Sequence, residues 1–341
     1  MKLLKAILPI LLLLIASVSF GQTRNYLLAL SKTDKKLVVL DGKTFNIVIK
    51  IPVGDDPHEI VTSADGKTAY VSNTGSGRFH TINVIDLVAL KVLDSIDTRP
   101  LLGPHGLAFA ENELWFTAQG SKAVARFNPA ERKIDLVLGT GQNRTHMLKV
   151  AKDGKHIYAT NVDAGTVSMF DYILFPPTIT PMGYALPTAK PFWDWNQAII
   201  PVAPSVEGLD ISPSGNELWT ASLVTGKIYI LDTTTKKISE TIDAAIFGAN
   251  RIRFTHNGKY VLISSLKNGD VLVYDARQRK EVKRINVGTG ASEVLIDADD
   301  SYAFIACTPD NYVAVVDLKT WEIIRKIDIG GRPDGLTFAA F

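Results

Sequence analysis

From Asn25 onward, apolar and polar residues alternate in runs of 4 to 7, broken every 8 to 12 residues by turn signals such as Asp-Gly, Ser-Gly and Asn-Gly. A period of two residues predicts half-buried β-strands, and no helical stretch interrupts them. Six segments are copies of one unit: PHEIVTSADGKTAYVSN from Pro57, PHGLAFAENELWFTAQ from Pro104, THMLKVAKDGKHIYATN from Thr145, VEGLDISPSGNELWTAS from Val206, ANRIRFTHNGKYVLISS from Ala249 and ASEVLIDADDSYAFIAC from Ala291. Each copy is two strands around a turn. A third strand follows, such as TINVIDL, KIYILDT or DVLVYDA, and a fourth closes the unit, as in KEVKRINVG or EIIRKIDIG.

Equivalent first-strand positions fall at His58, His105, His146, Glu207, Asn250, Ser292 and Asp334, at intervals of 47, 41, 61, 43, 42 and 42 residues. Four strands in a period of the low forties make a propeller blade. The segment RPDGLTFAAF is a first strand alone, whereas NYLLALS, KLVVLDG and NIVIKIPVG are second to fourth strands lacking a first. Pairing them completes a blade and removes two open sheet edges. The expected fold is all-β: a seven-bladed β-propeller of four-stranded antiparallel blades over residues 22–341, closed by the C-terminal strand joining the N-terminal blade.

The segments YVSNTGSG, ADGKTAYVSN and GKYVLISSLKNGDVLVYDA resemble the YVTN-type repeats of YncE-like bacterial secreted propellers, over essentially the whole chain after residue 21. That resemblance implies fold and repeat type, because members of the family have varied roles. The third blade, PHGLAFAENELWFTAQGSKAVARFNP, is similar over about one blade to the repeats of streptogramin lyases.

With first strands innermost, the starts of those strands and the loops between second and third strands share one face, the top. Asp41, Asp86, Asp171, Asp232, Asp275 and Asp317 end third strands, where a carboxylate satisfies backbone N–H groups of the next turn. Tyr70, Trp115, Tyr158, Trp219 and Phe304 recur on second strands and are expected between neighbouring sheets.

The ring of first-strand starts carries the chemistry. His58, His105, His146 and Glu207 would converge at the channel mouth, where imidazole and carboxylate suit a divalent metal or an acid–base pair. The opposing expectation is that each histidine only bonds an inter-blade turn. Asn250, Asp334, Arg251, Glu59 and Glu293 join this set, and the long loop NTGSGRFHT is expected to bring Arg78 and His80 to the same face. Asn73, Gln119 and Asn161 end second strands and are expected to face the mouth.

The interval of 61 places an insertion at about residues 172–195 of the fourth blade. Its five prolines predict a loop or extended arm rather than regular pairing, with strand four resuming at Asn196. Tyr184, Phe192, Trp193 and Trp195 are partner-contact candidates there, against the alternative that the arm packs on its own propeller.

Charge and chain start narrow the setting. Lys2 and Lys5, an apolar run from Ala6 to Val18, and small residues at Ser19 and Gly21 read as a signal peptide over residues 1–21. The remaining sequence holds 35 basic and 35 acidic residues, without clusters, so neither nucleic acid nor an anionic membrane is the expected partner. No later segment has the length of a membrane span. Cys307 stands alone, so burial and ring closure must hold the fold. The expectation is an exported protein, periplasmic or extracellular, that binds an unidentified small ligand or protein. The alternative is a metal-assisted lyase or hydrolase, lactonase-type included, using the His/Glu site. A redox role finds neither a C-x-x-C-H haem site nor a full histidine set for copper.

Overall fold

The computed structural model describes residues 25–177 and 190–341. The expected signal peptide and Tyr184 lie outside them. The described strands form seven four-stranded antiparallel sheets. Blade one joins Pro333–Ala340 to Asn25–Ser31, Lys36–Asp41 and Ile47–Pro52. Tyr26 sits opposite Ala339 and Leu27 opposite Phe338, so the ring closes as the repeat pattern requires. Blades two to seven follow in chain order, with first strands Pro57–Thr62, Pro104–Ala110, Thr145–Val150, Val206–Ile211, Ala249–Phe254 and Val294–Ile296.

Burial explains the differing strand patterns. Second and third strands lie between neighbouring sheets and are covered on both faces, so LLAL and LVVL are continuous apolar runs. Fourth strands form the outer edge; Ile47–Pro52 and Lys237–Asp243 are almost wholly exposed. The cores lie between blades. Trp219 meets Phe254 of the next blade edge-to-face at 5.7 Å, Tyr70 stacks on Phe109 at 5.8 Å, and Phe304 meets Phe338 at 5.3 Å.

Five of the third-strand aspartates cap their turns. Asp86 Oδ1 accepts from the N–H groups of Val88 and Ala89 at 2.8 and 2.9 Å, and Asp41, Asp232, Asp275 and Asp317 do the same. Asp171 departs from this role because its strand does not end there. Strand three of blade four continues to Phe175, and strand four begins at Phe192, not Asn196. Tyr172 opposes Trp195, Leu174 opposes Trp193 and Phe175 opposes Phe192, so the base of the insertion is a β-hairpin rather than an unpaired loop. Asp171 instead accepts from His156 Nδ1 at 2.7 Å and pairs with Lys236.

Candidate functional site

Six of the seven first strands, all but that of blade seven, open with a bulge. Pairing with the second strand skips between Pro57 and Ile60, Thr145 and Leu148, and Ala249 and Ile252. The two residues so released are the ring residue and its successor, and second-strand hydroxyls hold them. Thr117 Oγ1 accepts from the Gly106 N–H at 2.9 Å and donates to the His146 carbonyl of the next blade at 2.5 Å. Thr160 does this for Met147 and Glu207 at 3.2 and 2.6 Å, and Ser264 for Arg251 and Ser292 at 3.0 and 2.5 Å. One hydroxyl therefore fixes two blades and aims two channel residues. Gly106 and Gly335 leave room for this approach, since a Cβ there would stand 2.6 Å from the next blade's ring carbonyl.

The seven ring positions surround a cavity of about 730 Å³ at the top of the channel, lined by His58, His105, His146, Glu207, Asn250, Ser292 and Asp334. Arg251 also lines it. Sequence pattern missed Lys32, Asp56, Lys122, Arg144 and Arg332, which reach it from turns and loops. Their backbone offered a signal: Asp56, Arg144 and Arg332 each stand two residues before a ring position and have φ of 51°, 57° and 56°. Glycine holds that place at Gly103 and Gly248, with φ of 68° and 78°. A side chain in left-handed backbone costs about 1 kcal/mol.

Arg78 is exposed, and neither it nor His80 lines the cavity, because the Gly75–Gly77 turn carries both outward; His80 lies 3.1 Å from Asp97. Asn73 and Asn161 turn into their own blades. Asn73 donates to Asn83 Oδ1 at 2.8 Å, and Asn161 to Thr166 and Ser168 at 3.1 and 3.0 Å. Gln119 does face the mouth and donates to His146 Nδ1 at 2.8 Å.

The three imidazoles pack against one another with their planes tilted by 53° and 35°. His58 and His105 have centroids 4.7 Å apart, and His105 and His146 3.9 Å apart. Among the described residues no three His, Cys, Asp or Glu side chains are arranged to hold a metal ion, the set expected at His58, His105, His146 and Glu207 included. Burial lowers the pKa of all three histidines, and for His105 the neighbouring imidazoles lower it further, so the trio is neutral at pH 7. With Nδ1 accepting from Gln119, His146 carries its proton on Nε2, 3.9 Å from Glu207 Oε1. His105 Nδ1 is buried without a partner.

Charges around the imidazoles fall into two layers. At the mouth, Lys32 Nζ lies 2.7 Å from His58 Nε2 and 3.2 Å from Asp334. Glu207 accepts from Asn250 and has Arg144 at 3.6 Å; burial raises its pKa. Lys122 and Arg332 form no ion pair among the described residues. Beneath, Arg251 pairs with Glu59 and, at 2.8 Å, with Glu293, which also holds Arg253 at 2.8 Å. Burial, reinforced by the second carboxylate Glu293 and opposed by Arg251, pushes Glu59 up to about 8.

No family model matches the chain, and no curated protein matches it. Solved structures do. A functionally unknown protein from Desulfotomaculum acetoxidans superposes with a TM-score of 0.73 at 14% identity, over 92% of this chain and 99% of that one. A Bacteroides fragilis protein provisionally assigned as a 6-phosphogluconolactonase gives 0.71 at 15%, over 94% and 99%. Kuenenia stuttgartiensis hydrazine synthase gives 0.66 at 16%, over 82% and 88%. At these identities the likeness is one of fold, and the chain shares the β-propeller architecture with all three.

Proposed function

We propose that this protein is an exported binding propeller whose top-face mouth holds a small, acceptor-rich ligand bearing a carboxylate or phosphate. The observation that carries this reading is the pairing of a neutral imidazole floor with a cationic rim. His146 offers an N–H, His105 an unpartnered ring nitrogen, and Lys122 and Arg332 two charges without ion-pair partners among the described residues. A cavity of about 730 Å³ suits such a ligand. The YVTN-type repeats support placing the chain among secreted propellers of that kind.

A hydrolytic reading has one supporting feature, the buried Glu207 beside His146. Gln119 opposes it by keeping the proton on the nitrogen that faces Glu207, so His146 donates there rather than accepting. Calorimetric titration with 6-phosphogluconate separates the two. Binding at 1:1, weakened about tenfold or more by the Lys122→Ala, Arg332→Ala double variant, is expected. No saturable binding, or turnover of gluconolactone abolished by Glu207→Gln, would overturn the binding reading.

A further inference from the structure

Three residues below the ring, the first strands of blades four, five and six carry Lys149, Asp210 and Arg253, which open onto the opposite face of the propeller. A second cavity of about 930 Å³ lies there, walled by the turns of the three blades and by Ile173 at the base of the hairpin arm. No motif in the sequence pointed to it.

Its lining has two parts. One is apolar: Val150, Ile173, Ile211, Phe254, Leu295 and Ile296. The other is cationic: Lys149, Lys152, Lys236 and Arg253, against the two carboxylates Asp171 and Asp210. Both carboxylates are engaged. Asp210 holds Lys149 at 2.8 Å and accepts the Phe254 N–H at 2.8 Å, while Asp171 serves His156 and Lys236. Arg253 has only a share of Glu293, and Lys152 forms no ion pair among the described residues. Lys149 and Arg253 therefore stand together in one partly desolvated place; burial and then Arg253 depress the Lys149 pKa, while Glu293 and Asp210, against burial, raise that of Arg253.

We infer that this lower cavity is a second ligand site, for a small amphipathic anion: a carboxylate or sulfonate on an apolar body, its charge at Lys149 and its body along Ile173, Phe254 and Leu295. The cavity lies at the upper end of the usual size range for such molecules. The site shares no lining residue with the upper mouth, so it stands independently of what binds there.

The probe is 8-anilinonaphthalene-1-sulfonate, followed by fluorescence with the full chain, with decanoate as competitor. One saturable site per chain is expected, displaced by decanoate and not by decanol. Ile173 is 37% exposed, so charge can be placed there without opening a core. Ile173→Glu should weaken binding about tenfold or more, and Ile173→Lys should retain it, both with wild-type melting temperatures. Lys152→Glu should act in the same direction as Ile173→Glu. Equal losses in the Glu and Lys variants would remove the anionic ligand. Loss in Arg332→Ala instead would place the probe at the upper mouth and overturn the assignment, as would decanoate binding seen only with phosphatidylglycerol vesicles.

Discussion

Thr117, Thr160 and Ser264 each serve two blades with one oxygen, accepting a bulge N–H and donating to a neighbouring ring carbonyl. Removing such a hydroxyl leaves two buried backbone groups unpaired, at about 1–3 kcal/mol. Thr160→Val should therefore lower the free energy of unfolding in urea by about that amount, whereas the exposed Thr234→Val should change it by less than about 0.5 kcal/mol. Both hydroxyls and ring residues are visible when the repeats are aligned. Their direction is not, because a hydroxyl on an alternating strand reads simply as a polar face. Asn73 and Asn161 show the same limit: they hold the expected register but turn inward, since Asn83 and Ser168 on the third strands offer partners there.

The hairpin arm sorts its aromatics by depth. Trp195 packs edge-to-face on Trp115 at 6.1 Å and against Tyr172 at 5.3 Å, whereas Trp193 is 54% exposed and Phe192 46%. Trp195→Ala should cost about 3–5 kcal/mol in chemical denaturation, and Trp193→Ala under 1 kcal/mol. The two expectations for this segment thus apply to different residues: packing to Trp195, an exposed surface to Phe192 and Trp193. The repeat interval revealed the insertion, and its prolines pointed to a loop. Pairing persists at the base because Tyr172–Phe175 and Phe192–Trp195 contain no proline and pair residue for residue.

Across the whole molecule, buried titratable groups set opposing pH slopes. The histidines have folded pKa values below 6.5, so the unfolded state binds more protons and stability falls as pH drops through that range. Glu59, raised from 4.5 to about 8, does the reverse: its contribution is present at low pH and is lost as pH rises toward 8. Melting curves from pH 5 to 8 should show this in two variants. Relative to wild type, His105→Gln gains stability toward pH 5, and Glu59→Gln gains it toward pH 8. Strand order and ring closure could be counted from the repeats because strand pairing is periodic. The ion chain Glu59–Arg251–Glu293–Arg253 could not, because it joins residues from blades two, six and seven that meet only on the axis.

Ring closure also sets how the molecule would fail under load. Asn25 pairs with Ala340, so the two ends of the described chain lie side by side on antiparallel strands. Tension between them acts at one end of that pairing and breaks its hydrogen bonds one after another, as a zipper opens, rather than shearing all of them together. Blade one would yield first, at low force, while each of the other six blades keeps all four of its own strands.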